Sequence, residues 1–325
     1  MTTADDVRLR PVDHPLDHTI RLPGSKSLSN RALLIAALAG GTSEISNLLL
    51  ADDTRHMVTA LRTLGVPIRI DEDTCRATVS GREGHWPGGE AEIFCGNAGT
   101  VIRFLTAACC LGHGAYRLDG VPRIRQRPIG DLVDTLRDIG ASIGYEEQEG
   151  FCPLTIQASG LSGGRTAFKA AVSSQFVSAL LIAAPLAADD VLIEIAGPLP
   201  SKPYVGMTLK VMEAFGVSVV AEEFRRFIVP ARQPYSATHY AIEPDASAAS
   251  YFFAAAALAG GRITVEGLGR ESCQGDIHFV EVLERMGCGV ELESRRTTVR
   301  GPATGRLRGV DVDLGDMPDV AQTLA

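Results

Sequence analysis

Leu136-Arg137-Asp138-Ile139-Gly140 is the stretch from which the rest of the chain can be read. Its two apolar residues, three apart, share one face of a helix, and its glycine sits where that helix must stop. A helix ending in a left-handed residue favours glycine, which adopts positive φ at little cost. The same Leu-x-x-apolar-Gly pattern recurs at Leu61–Gly65 and Leu283–Gly287, with a Met-led form at Met212–Gly216. Successive glycines are 75, 76 and 71 residues apart, and each is followed by an apolar residue that opens a strand. Such a period marks a repeated supersecondary unit.

A second element recurs about 25 residues upstream of each of these helices. It is a polar turn followed by a small, Ala-rich apolar helix, beginning near Ser27-Leu28-Ser29-Asn30, Asn97-Ala98-Gly99-Thr100, Ser173-Ser174-Gln175 and Asp245-Ala246-Ser247. β-branched runs such as Val191–Ile195 and Ile263-Thr264-Val265 follow. One copy, about 73 residues long, therefore reads helix, strand, helix, strand with extra strands between copies, an α/β protein. The Ala-rich helices are expected to be buried between layers, and charged ones such as Asp131–Ile139 to face solvent. Pro318-Asp319-Val320-Ala321 echoes Pro244-Asp245-Ala246-Ser247 seventy-four residues earlier. A fifth Ala-rich helix is expected to open there, which reads as a C-terminal truncation inside the fifth copy.

At 325 residues, 45% hydrophobic and 22% charged, the chain suits two globular domains. A net charge of −8 argues against general binding to nucleic acid or anionic membrane, while leaving local Lys and Arg free to hold small anions. The start, Met-Thr-Thr-Ala-Asp-Asp, has no apolar run and does not read as a secretion signal. The longest apolar stretches, Ala32–Ala39 and Tyr251–Ala259, are too short to span a bilayer. Seven cysteines without a C-x-x-C read as small buried hydrophobes, reduced in a cytoplasm. The seven histidines show no metal-ligand spacing, and no Walker A or His-Glu-x-x-His occurs. His85-Trp86 reads as a structural loop and Asp276-Ile277-His278 as a helix cap.

The helix starts carry the chemistry. Ser, Thr, Asn, Asp and Gly are ordinary N-caps, but capping does not explain the basic residues beside them. Ser25-Lys26-Ser27 is followed by Asn30-Arg31, and Gly96–Thr100 by Arg103. Arg123, Arg125 and Arg127 precede Pro128, and Ser201-Lys202-Pro203-Tyr204 opens a further helix. Unpaired N–H groups, hydroxyls, a positive dipole end and Lys or Arg together form an anion site. Four such starts suit a ligand set with more than one phosphate or carboxylate.

At these residues the chain resembles the 5-enolpyruvylshikimate-3-phosphate synthase family. Leu22-Pro23-Gly24-Ser25-Lys26-Ser27-Leu28-Ser29-Asn30-Arg31-Ala32 resembles its first signature and Gly96-Asn97-Ala98-Gly99-Thr100 its second. Arg125–Ile129, Ser173–Phe176, Ser201–Tyr204, Asp245–Ser250, Gln274–Ile277 and Pro318-Asp319 match in order. The resemblance implies two domains of βαβαββ units, with helix starts facing an interdomain cleft. One domain, 25–244, would hold three whole copies. The other, 1–24 plus 245–325, would be incomplete, truncated in its second repeat.

The implied reaction transfers the enolpyruvyl group of phosphoenolpyruvate to the 5-hydroxyl of shikimate 3-phosphate and releases phosphate, in aromatic amino-acid biosynthesis. It implies no cofactor, no metal and a monomer. Lys26 would touch both substrates, and Ser27 and Arg31 would hold the shikimate portion. Ser173 and Ser174 would bind its phosphate with Ser201 and Tyr204, and Gln175 would lie between the substrates. Asn97, Gly99 and Thr100 would form the phosphoenolpyruvate loop, with Arg127 pairing with the anion. Asp319 would bind the shikimate hydroxyls and act as general base beside the catalytic Lys26.

Two departures bear on these expectations. The family's Lys-Glu-Thr-Asp-Arg segment and a later Arg and Lys have no counterpart up to Ala325, so a substrate-binding but catalytically impaired form is the alternative reading. Phe104 stands where many members carry Pro, which is expected to affect the helix bearing Gly99 and Thr100. A UDP-N-acetylglucosamine enolpyruvyl transferase is the remote alternative. That family lacks the Ser-Lys-Ser-x-Ser-Asn-Arg run and uses a cleft Cys that no segment here resembles.

Overall fold

The computed structural model describes residues 12, 14–87, 89–169 and 173–325. The acidic start read above as no secretion signal lies outside them. The chain forms two compact units, one of 23–245 with 273–275, the other of the remaining described residues.

The larger unit contains three copies of one pattern. The first runs α1 (Lys26–Leu38), β2 (Thr42–Ser46), α2 (Asp52–Thr63), β3 (Ile68–Asp71) and β4 (Arg76–Ser80), after β1 (Leu16–Ile20) of the smaller unit. The second is β5 (Gly89–Phe94), α3 (Gly99–Cys109), β6 (His113–Asp119), α4 (Gly130–Asp138), β7 (Ile143–Tyr145) and β8 (Leu154–Ser159). The third is β9 (Gly164–Phe168), α5 (Ser174–Ala183), β10 (Val191–Ile195), α6 (Lys202–Ala214), β11 (Val220–Glu222) and β12 (Arg226–Val229). The smaller unit follows β13 (His239–Ala241), with α7 (Ala246–Ala259), β14 (Gly261–Glu266), α8 (Phe279–Arg285), β15 (Gly289–Leu292), β16 (Arg296–Arg300) and α9 (Ala321–Leu324).

Each copy closes a four-stranded sheet, for example in the order β5-β6-β8-β7. The first pair is parallel, joined across a helix, and the rest antiparallel. The first copy has no leading strand of its own; β13, almost 200 residues later, pairs with β2 in parallel, Tyr240 opposite Ile45. In the same way β1 pairs with β14, His18 opposite Ile263.

The predicted closing glycines behave identically. Gly65, Gly140, Gly216 and Gly287 have φ of 83°, 100°, 87° and 104°. At each, the glycine N–H bonds the carbonyl three residues back and the next N–H the carbonyl five back, as in Gly140 N to Arg137 O and Ala141 N to Leu136 O. This is the Schellman arrangement, which satisfies carbonyls a helix end leaves unpaired. Gly216→Ala meets only the Ser236 side chain, its Oγ 3.5 Å away. It should cost about 1 kcal/mol of stability, from the strained φ alone. Gly65→Ala should cost more in the same urea titration, because its Cβ would lie 2.5 Å from Pro87 Cγ.

The Ala-rich helices of the larger unit are its core. Every residue from Leu28 to Leu38 of α1 is buried, as are Val101–Cys109 of α3 and Phe176–Ala183 of α5. Helices apolar all round are wrapped on all sides, whereas α4 buries only Leu132, Val133, Thr135 and Leu136. In the smaller unit α7 differs from the expectation of burial. It packs on one side through Ala249, Phe253, Ala256 and Ala257, and leaves Tyr251, Phe252 and Leu258 exposed.

Trp86 is structural as expected, its indole N–H donating to Ala108 O at 2.8 Å. Of the cysteines, all free thiols, Cys75 and Cys273 are only partly buried. Residues 273–275 cluster with the larger unit, where the carboxylate of Glu243 accepts from Cys273 N and Gln274 Nε2. Among the described residues no helix is long and apolar enough to cross a membrane, and no group of three His, Cys, Asp or Glu could hold a metal ion.

Candidate active site

The helix starts of the larger unit are furnished with hydroxyls and small residues that do little capping. Ser25 before α1, Ala98 before α3 and Ser201 before α6 make no side-chain cap bond. Ser173 caps α5 weakly, its Oγ accepting from Gln175 N at 3.3 Å. Ser201 holds φ 55°, a left-handed conformation that costs a non-glycine residue energy and often marks a ligand site. At α1 the first N–H, that of Lys26, is met by the Asp245 carboxylate at 3.1 Å. Lys26 itself is half exposed, with Nζ 3.6 Å from Asp53 Oδ2.

Two buried arginines stitch these starts together. Arg31, 1% exposed, lies in α1 one turn after Ser27, whose carbonyl accepts from its Nη1 at 2.9 Å. Its Nε donates to Thr208 Oγ1 (2.7 Å), and its Nη2 to Ser178 Oγ (3.3 Å) and Tyr204 O (3.0 Å). Four of its five N–H groups are therefore engaged, tying α1 to α5 and α6. Phe104, the departure noted above, lies under this guanidinium, 5.2 Å from carbon to ring centroid, and α3 runs unbroken through it. Burial pushes the Arg31 pKa down to about 10, so it stays charged at neutral pH.

Arg103, 7% exposed, is one helical turn beyond Gly99 and on the same face of α3. It donates to the Gln175 side-chain oxygen and to Pro128 O (3.5 Å), and its guanidinium stacks 5.0 Å over Phe176. Its pKa falls to about 10, first through burial and then through the like charge of Arg127. A Cβ on Gly99 would lie 2.5, 2.7 and 2.9 Å from Nη1, Cζ and Nη2 of Arg127. The Arg127 guanidinium thus lies flat against the first turn of α3, which is why glycine stands there.

The structure brings together Lys26, Ser27, Arg31, Ser201 and Tyr204 around the starts of α1 and α6. Asn97, Gly99, Thr100, Arg127, Ser173, Ser174 and Gln175 gather around the starts of α3 and α5. Asp319 belongs to the smaller unit, exposed on a 3₁₀ turn, Pro318–Val320. The expected substrate contacts leave out Asp53, Thr208 and Ser178, and Arg103 reads only as a basic neighbour of the Gly96–Thr100 helix start. Only Arg103 carried a local signal, four residues past Gly99; the others meet their partners across long separations.

A profile of the family described as EPSP synthase (3-phosphoshikimate 1-carboxyvinyltransferase) matches residues 12–325. A protein of Trichormus variabilis named 3-phosphoshikimate 1-carboxyvinyltransferase is 48% identical over 320 residues, 98% of this chain and 75% of that protein. The protein of the same name from Vibrio cholerae is 48% identical over 324 residues, 99% of this chain and 75% of its own length. Among solved structures, EPSP synthase from Acinetobacter baumannii has a TM-score of 0.79 at 23% identity, covering 97% of this chain and 71% of that one. The enolpyruvyl transferase NikO from Streptomyces tendae has a TM-score of 0.73 at 18% identity, over 96% and 72%. Repeated unit, helix starts and these matches place the chain in the EPSP synthase family.

Proposed function

We propose that the chain is a 3-phosphoshikimate 1-carboxyvinyltransferase, transferring the enolpyruvyl group of phosphoenolpyruvate to the 5-hydroxyl of shikimate 3-phosphate with release of phosphate. The observation that carries this reading is the stitching of under-capped helix starts by Arg31 and Arg103, which sets positive charge beside those starts for two anions. The larger unit, 25–244 by the repeat, is the shikimate 3-phosphate side, and 1–24 with 245–325 belongs to the second domain.

Ser173 and Ser174 receive the shikimate 3-phosphate group at the start of α5, with Ser201 and Tyr204. Lys26, Ser27, Arg31 and Gln175 complete that pocket. Phosphoenolpyruvate lies over Asn97, Gly99 and Thr100, its charge met by Arg127, Lys26 and Gln175. A planar guanidinium suits a carboxylate or phosphate better than an ammonium does. Asp319 binds the shikimate hydroxyls and takes the 5-hydroxyl proton, while Lys26 stabilises the charge that develops between the substrates. No cofactor takes part, and the protein acts as a cytoplasmic monomer.

Calorimetric titration with shikimate 3-phosphate tests the larger unit directly. Replacing Ser173 and Ser174 together by alanine should weaken binding about 10- to 100-fold, the loss of one hydrogen bond or more to a charged group. Unchanged affinity in that variant, or no heat from the unaltered chain at millimolar ligand, would overturn the reading.

A further inference from the structure

Between the phosphoenolpyruvate loop and Arg127 lies a charged cluster that the roles above leave unused. Asp119 ends β6 and is 8% exposed. Its carboxylate takes a two-pronged pair from Arg125, with Nε to Oδ1 at 2.9 Å and Nη2 to Oδ2 at 2.6 Å. Gly120 N donates to Oδ1 at 2.7 Å, and Arg117 reaches Oδ2 at 3.4 Å. Arg117 is drawn off mainly by Glu146 (2.8 Å), and Arg125 is held on its far side by Glu147 (2.6 Å). Burial pushes the Asp119 carboxyl up, but the Arg125 hydrogen bonds and the Gly120 N–H pull it below its ordinary value, so it is ionised at neutral pH.

The backbone at the same residue holds the other loop. Asp119 O accepts from Cys95 N at 2.7 Å, and Gly96 O accepts from Val121 N at 3.0 Å. These two bonds set the backbone of Cys95-Gly96 immediately before Asn97. On the other side, Arg125 lies within the one-turn 3₁₀ helix Ile124–Gln126, whose closing residue is Arg127, with Arg127 N bonded to Ile124 O at 3.0 Å. Arg127 is thus two residues from a side chain pinned by two carboxylates, and its own guanidinium is pressed against Gly99.

We infer that Asp119 is a positioning residue for phosphoenolpyruvate. Through Arg125 it fixes the turn that presents Arg127, and through its backbone it fixes the Gly96-Asn97 loop against that turn. This rests on the assignment of Arg127 to the phosphoenolpyruvate anion. A bidentate arginine–carboxylate pair suits the task because its two parallel bonds fix orientation as well as distance. Displacement of a substrate-holding group by about 1 Å is enough to lower its effect strongly.

The test is calorimetric titration with phosphoenolpyruvate in the presence of shikimate 3-phosphate. It compares the unaltered chain with Arg127→Gln, Asp119→Asn, Arg125→Gln, Arg125→Lys and the Asp119→Asn/Arg125→Gln double variant. Asp119→Asn and Arg125→Gln should each weaken phosphoenolpyruvate binding about 5- to 20-fold, and the double variant no more than the worse single one, as for groups acting as one unit. Arg125→Lys, which keeps the charge but loses the fork, should fall between, and its partly exposed position spares the fold. Affinity for shikimate 3-phosphate should stay within about twofold in all of them, a split that general loosening of the unit would not produce. If Arg127→Gln binds phosphoenolpyruvate as the unaltered chain does, or if that chain takes up none, the assignment of Arg127 fails. If Arg127→Gln weakens binding while Asp119→Asn and Arg125→Gln do not, the assignment stands and the positioning role of Asp119 is overturned.

Discussion

Arg31→Ala should destabilise the larger unit by about 3–5 kcal/mol and weaken shikimate 3-phosphate binding at least 100-fold. The stability loss has a specific origin. Arg31 is wholly enclosed, and its guanidinium satisfies Ser27 O, Tyr204 O, Thr208 Oγ1 and Ser178 Oγ at once. Truncation opens a cavity beside the Phe104 ring and removes four bonds at once; Thr208 Oγ1 still reaches Ser178 Oγ (2.8 Å) and Tyr204 O (3.0 Å), so only part of the cost of about 1–3 kcal/mol per unpartnered buried group applies. Water entering the cavity recovers part of this, which keeps the expected total below the simple sum. Arg31→Lys restores the charge but not the fork, so it should regain less than half of the loss. Urea unfolding followed by circular dichroism, with calorimetry for the ligand, checks both. An Arg31→Ala chain with an unchanged midpoint would mean that the network contributes nothing net.

Gly99→Ala should behave in the opposite way, with stability nearly unchanged and phosphoenolpyruvate affinity about 10- to 100-fold lower. The atoms that a Cβ would strike belong to the far end of Arg127, a flexible side chain, so the guanidinium moves and the fold does not. In the first turn of α3 alanine is a better helix former than glycine by about 1 kcal/mol, which offsets any residual crowding. The displaced guanidinium, however, can no longer lie flat against the helix start, and the anion loses a charge-assisted pair. Shikimate 3-phosphate affinity should not change. Paired titrations of both ligands separate the two arginines: Arg31→Ala loses stability and shikimate 3-phosphate, Gly99→Ala loses phosphoenolpyruvate alone.

Much of the site was legible because its signals are local. Lys26, Ser27 and Arg31 fall within one helical turn and a half, as do Asn97, Gly99 and Thr100, so a run of six residues displays both hydroxyls and charge. What those residues touch was not legible. Arg103 meets Gln175 across 72 positions and Arg31 meets Thr208 across 177, and no periodicity relates them. The expected unused N–H at α1 is instead met by Asp245, 219 residues from Lys26.

By itself the sequence determined the repeated unit, its four glycine-closed helices and the Ala-rich helices that open each copy. Each of these follows from backbone geometry and helical periodicity within about fifteen residues. Only the tertiary structure decided that β13 returns to pair with β2, and β1 with β14, since a strand's partner is chosen by which sheet edge the folded chain presents. It also decided that α1, α3 and α5 are wrapped on every side while α7, richer still in alanine, is covered on one. Composition can make a helix apolar all round, but burial depends on what packs against it.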